Sequence, residues 1–127
     1  MLPKERMISI VDDDQFVRES LKRLMKSLGY SVSDFPSAVE FLESPTLANT
    51  ACLIADIHMP GMTGVELYGK LTEAGHAIPT IIITAYPDDS VRERALNDGV
   101  VCYLTKPIRE RDLINCVRSV VDQAQPH

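Results

Sequence analysis

The sequence predicts an α/β domain in which a parallel five-stranded sheet carries helices on both faces. Short apolar runs of strand type alternate with stretches whose apolar residues recur at helical spacing, and turn residues separate the two kinds of segment. The length of 127 residues fits one domain with a core of its own. We expect a single domain over residues 1–127, with its core at about 7–124 and no further domain in this chain.

The first strand and helix are marked by a change of periodicity. Residues 7–11 form a short apolar run that predicts a strand, and Asp12, Asp13 and Asp14 follow it directly. Apolar residues then recur at helical spacing up to Gly29, a residue type at which helices commonly end. Asp14 stands where this helix begins, so we interpret it as the N-terminal cap, with metal binding as the alternative.

The next segment predicts an edge strand and a short helix. Residues 30–35 are half polar and half apolar, which suits a strand at the edge of the sheet. Ser37 and Glu40 have the spacing of a capping box, which predicts a helix that ends near Leu42. Residues 43–50 include a proline and predict a loop.

The most informative stretch is the third strand with the loop that follows it. Residues 52–56 are apolar up to a single acid, Asp56, and a segment rich in proline and glycine comes next. Thr63 and Glu66 form a second capping box, and the helix that they open is expected to end at Gly75. A core strand gains nothing from ending in an unpaired acid, because a buried charge is costly to desolvate. Asp56 therefore needs partners from elsewhere in the chain.

The last two strands and helices continue the alternation. Residues 80–84 are rich in β-branched side chains and predict a strand, and a helix is expected over about 88–98. Residues 100–104 predict the fifth strand, and an amphipathic pattern predicts the last helix over about 110–123. Strands that alternate with helices in this way form a parallel sheet with right-handed crossovers.

Candidate functional side chains follow four of the five predicted strands. At the ends of strands 1, 3, 4 and 5 stand Asp12, Asp13, Asp56, Thr84 and Lys106. The second strand carries no such residue. This distribution fits the flavodoxin-like strand order 2-1-3-4-5, whose ligand crevice lies between strands 1 and 3 at the carboxyl ends of the strands.

The three acids in this group indicate a cation-dependent site. Carboxylates that converge on one crevice repel each other unless a cation neutralises them. Oxygen ligands that are few in number and leave room for water favour Mg²⁺ over zinc or calcium. Lys106 adds a second positive charge beside Asp56. Metal, ammonium and hydroxyl together suit a site that holds a phosphoryl group during its transfer.

Composition and cysteine count limit the classes of function. The net charge of −5 argues against a nucleic-acid surface, which is normally basic. Without a signal-peptide region or an apolar run long enough to span a bilayer, a cytoplasmic location without membrane contact is expected. Cys52, Cys102 and Cys116 are odd in number and lack a C-x-x-C spacing. All three are expected to be buried free thiols, with a redox or zinc role as the alternative.

Four pieces of the sequence occur together in one known family. They lie at residues 10–14, at 56–64, at 83–85, and at Gly99 with 103–107. In this order they resemble the receiver domain of two-component response regulators, and the resemblance covers almost the whole chain. The first helix and the segment after the second strand look most like FixJ-type regulators. The resemblance implies a CheY-like (βα)5 fold and a single receiver domain.

The resemblance implies a role for each residue of the crevice. Asp56 would be the phosphoacceptor, which takes a phosphoryl group from the phosphohistidine of a sensor histidine kinase or from a small donor. Asp13 and Asp56 would bind Mg²⁺ directly together with the backbone carbonyl of His58, and Asp12 would act through bound water. Lys106 would pair with Asp56 at rest and with the phosphoryl group afterwards.

The resemblance also implies a switch. Thr84, which Ala85 follows in the family motif, would hydrogen-bond the new phosphoryl oxygen, and Tyr103 would then move inward. This pair would change the face built from helix 4, strand 5 and helix 5. The peptide bond between Lys106 and Pro107 would be cis, an isomer that is appreciably populated only before proline.

The implied function is signalling rather than steady catalysis. Such a domain is not an enzyme beyond its own Mg²⁺-dependent phosphorylation and dephosphorylation. Its partners would be a sensor histidine kinase, an output domain or partner protein at the switch face, and a phosphorylation-dependent homodimer. FixJ-type proteins carry a DNA-binding domain after the receiver and regulate transcription, and we expect no such domain within these 127 residues.

Other interpretations of the same residues remain open. Asp56 read as a helix-capping acid is disfavoured, because Thr63 already caps that helix. An Mg²⁺-dependent phosphatase with an aspartyl nucleophile is the alternative function, but haloacid-dehalogenase-type enzymes need an acid at the position of His58. The imidazole of His58 would tune hydrolysis, lie in solvent or bind a stray metal. Tyr86 would either obstruct the attacking water or be a plain surface aromatic. A nucleotide-binding module lacks its glycine-rich loop here.

Overall fold

The computed structural model describes residues 7–121, in which strands and helices alternate as expected. The elements are β1 (Met7–Val11), α1 (Gln15–Ser27), β2 (Ser31–Phe35), α2 (Ala38–Leu42), β3 (Thr50–Asp56), α3 (Gly64–Glu73), β4 (Thr80–Thr84), α4 (Asp89–Asn97), β5 (Cys102–Thr105) and α5 (Glu110–Val121). The predicted end of the last helix at residue 123 and the core limit at 124 lie outside the described residues. Among residues 7–121, none of the helices has the length and hydrophobicity of a transmembrane span.

The five strands form one parallel sheet in the order β2-β1-β3-β4-β5. This order confirms the predicted flavodoxin-like, CheY-like fold. β1, β3 and β4 are buried over nearly their whole length, because helices cover both faces of the sheet. β2 is half-buried and lies at an edge, as its mixed composition predicts.

Two hydrophobic cores lie on opposite faces of the sheet, because successive strand side chains point to opposite sides. Ile54 and Ile81 pack with α1 and α5 on one face. Leu53 and Ile82 pack with α2, α3 and α4 on the other face. The helices flank the sheet, so the carboxyl ends of the strands stay accessible for a site.

The helix starts follow the predicted capping residues. Asp14 accepts hydrogen bonds from two backbone N–H groups in the first turn of α1, which confirms it as a cap. Thr63 and Glu66 form the complete capping box of α3. Ser37 accepts from the N–H of Glu40, which is one half of the predicted box.

Two strand starts differ from the sequence prediction by two residues. The fifth strand begins at Cys102 instead of residue 100, because the N–H of Val100 donates to the carbonyl of Ala95 at the end of α4 and so still belongs to the helix terminus. The predicted loop before β3 contains a 3₁₀ turn, Leu47–Asn49, and the strand itself begins at Thr50. Such ends depend on tertiary hydrogen bonds that a local pattern does not reveal.

The expectation of three buried free thiols was wrong for two of the cysteines. Cys102 of β5 and Cys116 of α5 form a disulfide, with their Cα atoms 6.4 Å apart. Both side chains are half-buried, because they lie where the edge of the sheet meets the last helix. Cys52 is a free, fully buried thiol, as expected. The spacing in sequence could not reveal the pair, since β5 and α5 meet only after folding.

Candidate functional site

The candidate site lies at the carboxyl edge of the sheet, between β1 and β3. Val11 pairs with Ala55, so the next residue on each strand, Asp12 and Asp56, stand side by side. β4 and β5 bring two more segments to the same edge, where the N–H of Lys106 donates to the carbonyl of Thr84 at 2.7 Å. The predicted strand order therefore does bring these side chains together.

Three carboxylates form a compact cluster at this edge. One oxygen each of Asp12, Asp13 and Asp56 lies within 4.8 Å of the others. Asp12 is fully buried and Asp56 is 4% exposed, whereas Asp13 is open to solvent. Oδ1 of Asp56 is buried and has no hydrogen-bond partner among the described residues. An orphaned carboxylate oxygen inside an all-oxygen cluster fits a hard divalent cation such as Mg²⁺.

Lys106 supplies the positive charge of the cluster. Its Nζ lies 3.0 Å from Oδ2 of Asp12 and 3.4 Å from Oδ2 of Asp56. Burial by itself would lower the pKa of Lys106, but the hydrogen bond and charge of Asp12, with a smaller contribution from Asp56, raise the pKa overall. Lys106 therefore stays protonated, and it binds both acids at once.

The carboxyl of Asp56 is held in an unfavourable charge environment. Burial is the largest cause and raises the pKa of Asp56, and the negative charge of Asp12 raises it further. Lys106 and the backbone N–H of His58 lower the pKa, but they do not compensate in full. The carboxylate would gain stability from any additional cation, which is what a metal-dependent site requires.

Arg18 is a site residue that the sequence interpretation missed. Its guanidinium donates to the backbone carbonyl of Asp12 at 2.7 Å and to Oδ2 of Asp34 on β2 at 3.2 Å. The N–H of Asp14 donates to Oδ1 of Asp12 at 2.8 Å, which fixes the carboxyl from the other side. Arg18 stands next to Val17 at the inner edge of α1, so a basic residue beside the apolar stripe was the available signal.

The loop after Asp56 approaches the backbone so closely that it requires glycine. A Cβ on Gly64 would collide with the carbonyl oxygen of Asp56. The N–H of Gly64 donates to the carbonyl of Ile57, and Thr63 starts α3 at this point. Gly61 adopts a φ of +86°, which favours glycine. The segment after Asp56 is thus a turn that folds back against β3 and leaves the carboxyl of Asp56 at its rim.

The side of the site next to β4 carries Thr84 and Tyr86, together with His58 from the loop after β3. Thr84 is fully buried, and its hydroxyl accepts a hydrogen bond from the N–H of Tyr86 at 3.0 Å. Tyr86 is 72% exposed, and its ring contacts that of His58 edge to face, with centroids 5.2 Å apart. His58 is exposed as well. Tyr86 therefore lies against a residue of the loop that follows β3.

Tyr103 lies farther along the same side. Its side chain is half-buried against the core that includes α4, and its hydroxyl accepts a hydrogen bond from the N–H of Asp88 at 3.2 Å. Asp88 also caps α4 through its carboxylate. The Lys106–Pro107 peptide bond is cis, and Ala85 is exposed at the mouth of the site. Tyr103 thus connects the start of α4 to β5.

Comparison with known proteins gives the family. Residues 8–118 match the family model described as "Response regulator receiver domain". The response regulator protein TmoT of Ectopseudomonas mendocina is 39% identical over 124 residues, which cover 98% of this chain and 56% of TmoT. The transcriptional regulatory protein FixJ of Azorhizobium caulinodans is 32% identical over 118 residues, which cover 93% of this chain and 56% of FixJ.

A solved response regulator structure has the same fold as this chain. The response regulator StyR superposes with a TM-score of 0.85 at 36% identity, covering 94% of this chain and 60% of that chain. The chain spans about half the length of the curated relatives that it matches. The match to the family model and the relatives confirm the resemblance read from the sequence, with FixJ among them. The chain belongs to the response regulator receiver domain family, which consists of signalling switches of two-component systems.

Proposed function

We propose that this domain accepts a phosphoryl group on Asp56 and that the phosphorylated form changes the surface made by α4, β5 and α5. The observation that carries the proposal is the state of Asp56. One oxygen of this buried carboxyl contacts Lys106, and the other has no hydrogen-bond partner in the described part of the chain. A buried carboxylate with one free oxygen, a neighbouring ammonium and two further acids is suited to nucleophilic attack on phosphorus.

The donor set fits Mg²⁺. Asp13 and Asp56 would hold the ion together with the backbone carbonyl of His58, and Asp12 would contact it through water. When bound, the ion supplies positive charge to the carboxylates and to the incoming phosphoryl oxygens. The cluster within 4.8 Å and the orphaned oxygen of Asp56 support this assignment.

The chain's own residues then carry the transfer. A carboxylate oxygen of Asp56 forms a bond to phosphorus as the bond from phosphorus to the histidine nitrogen of the donor breaks, and the imidazole leaves with the electron pair of that bond. Lys106, already protonated between Asp12 and Asp56, moves its charge toward the phosphoryl oxygens. The product is an acyl phosphate on Asp56, whose lifetime depends on the access of water.

The switch begins at Thr84. Its hydroxyl oxygen accepts a hydrogen bond from the N–H of Tyr86. The hydroxyl proton would be donated to a phosphoryl oxygen on Asp56. Tyr103 would follow inward and give up its hydrogen bond with the N–H of Asp88. Because Asp88 caps α4, this movement would reach the start of that helix and the face that it shares with β5 and α5.

The partners belong to the same proposal. Phe16 is 85% exposed beside a groove of about 370 Å³ that Ile108 and Lys106 also line, which suits contact with the kinase that delivers the phosphohistidine. Because the chain spans about half of TmoT and FixJ, we propose that the receiver acts in the cytoplasm, as one domain of a longer regulator, on an output domain that controls transcription. A phosphorylation-dependent homodimer through the switch face is part of this proposal.

The competing function is a Mg²⁺-dependent phosphatase. His58 stands where that chemistry needs an acid, and it is exposed. The test combines a small phosphodonor such as acetyl phosphate with p-nitrophenyl phosphate, each with Mg²⁺. We expect up to one acyl phosphate per chain from the donor and no sustained release of nitrophenol. Steady turnover of the ester would overturn the switch assignment.

A further inference from the structure

The disulfide between Cys102 and Cys116 joins two elements of the proposed switch face. Cys102 is the first residue of β5, and Cys116 lies in the middle of α5. β5 is an edge strand, and β4 is its one neighbour in the described sheet. The bond therefore adds a covalent link to an edge strand that otherwise relies on one ladder and on side-chain packing.

The pair lies opposite the switch tyrosine. Cys102 packs in the core with α1 and α5, whereas the next residue, Tyr103, packs in the core with α4. A link through Cys102 thus holds the strand from one side while Tyr103 acts on the other side. Movement of β5 or α5 is restrained without contact to the acceptor pocket.

The chemistry of the three cysteines separates this pair from the third. Burial raises the pKa of the Cys52 thiol to about 12, and its side chain has no exposed surface, so it does not react in the folded protein. Cys102 and Cys116 are only half-buried, in contrast to Cys52. In reducing compartments disulfides are usually transient and belong to redox-sensing or catalytic pairs.

We propose that Cys102 and Cys116 form a reversible redox couple that reacts with low-molecular-weight disulfides such as glutathione disulfide. One cysteine thiolate attacks the reagent, forms a mixed disulfide and releases one glutathione thiol. The other thiolate then attacks the protein sulfur and releases the second. The net reaction turns one protein dithiol and one glutathione disulfide into one protein disulfide and two glutathione thiols, with two electrons passing to the reagent.

The consequence is a second input to the face that phosphorylation controls. The oxidised form ties α5 to β5, and the reduced form leaves the helix free to open locally. This step rests on the proposed function, because a restrained face matters only if phosphorylation changes it. The redox couple itself stands independently of the acceptor site.

The first arm of the test counts thiols. The full chain is equilibrated in glutathione buffers of varied ratio, quenched in acid, unfolded and alkylated, and its intact mass is measured. We expect three alkyl groups in reducing buffer and one in oxidising buffer, with the remaining label on Cys52. Three labels at every ratio, or one label even in excess dithiothreitol, would overturn the couple. Cys116→Ser is the control: it has no second thiolate to resolve the mixed disulfide, so its oxidation should stop at a glutathione adduct on Cys102 and should never give the paired loss of two labels without added mass.

The second arm measures the tether by hydrogen–deuterium exchange. Peptides from α5 should exchange at least tenfold more slowly in the oxidised protein, and the Cys102→Ser variant should show no redox dependence. Acetyl phosphate with Mg²⁺ is then added to both forms. We expect the change in exchange of α4, β5 and α5 to be smaller in the oxidised form. Equal changes in exchange in the two forms would refute the coupling. If neither the oxidised nor the reduced protein gains an acyl phosphate, the proposed function alone is contradicted.

Discussion

Lys106 forms its shorter ion pair, 3.0 Å from Nζ to Oδ2, with Asp12 and not with the proposed acceptor. Asp12 is fully buried, so without this ammonium its carboxyl would lose its ion pair in a site that water does not reach. The longer distance to Asp56, 3.4 Å, leaves the proposed acceptor less strongly held. Lys106 thus contacts both acids, and the contact with Asp12 is the closer one.

This arrangement predicts a stability cost for losing the ammonium. Without divalent cations, Lys106→Met should lower the free energy of unfolding by about 3 kcal/mol, because it leaves a buried carboxylate without its partner. Urea unfolding measures the change. Lys22→Met is the matched control, since its ion pair with Asp34 is partly exposed and should contribute less than about 1 kcal/mol. Equal losses for the two variants would contradict the assigned role.

The raised pKa of Asp56 predicts a pH-dependent effect of its removal. The folded state binds the proton of Asp56 more tightly than the unfolded state does, so stability from this group is complete below the unfolded pKa and is lost as the pH rises through the folded pKa. An asparagine side chain does not ionise, so Asp56→Asn does not lose stability in this way. In a chelator, this variant should therefore be more stable than the wild type at pH 7, and the difference should vanish below about pH 4. A difference that does not vary with pH would show that the pKa is not raised.

The hydrogen bond between Tyr103 and the N–H of Asp88 offers a reporter for the switch. On phosphorylation, that amide should lose its partner and exchange about fivefold faster, as expected for one hydrogen bond. Thr84→Val should accept the phosphoryl group but leave the amide unchanged, whereas Thr84→Ser should respond like the wild type. Amide NMR measures this. Tyr103→Phe lacks the hydroxyl acceptor and gives the exchange rate of this amide without the hydrogen bond. A response in Thr84→Val would remove Thr84 from the coupling.

The contact of Tyr86 with His58 predicts an effect on the lifetime of the acyl phosphate. If the ring screens Asp56 from water, Tyr86→Ala should shorten the lifetime about fivefold, which corresponds to about 1 kcal/mol of barrier. Tyr86→Phe keeps the ring and should keep the lifetime. Loss of phosphate is followed by intact mass after removal of the donor. An unchanged lifetime in Tyr86→Ala would leave Tyr86 as a surface residue.

Much of the fold was predictable because its signals are local. The apolar run that ends at Asp56, the capping box of Thr63 and the strand order each follow from periodicity or from where the candidate side chains stand. These features depend on neighbours in sequence or on general rules of parallel sheets. The meeting of Asp12, Asp13 and Asp56 followed from the same rules.

What the sequence did not reveal depends on contacts between distant segments. Arg18 reaches the carbonyl of Asp12 only because α1 lies beside β2, where Asp34 receives the same guanidinium. The disulfide forms only because the register of β5 places Cys102 under α5. Arg18 and the two cysteines belong to no motif, and their contacts depend on packing that a linear pattern does not contain.

The central claim is that Asp56 carries the phosphoryl group, and intact mass before and after exposure to acetyl phosphate tests it most directly. The wild type should gain one phosphoryl group with Mg²⁺ and none in excess chelator, and the gain should disappear on treatment with hydroxylamine, which cleaves acyl phosphates. Asp56→Asn should gain none under the same conditions. Full labelling of Asp56→Asn, or no labelling of the folded wild type with Mg²⁺, would contradict the account.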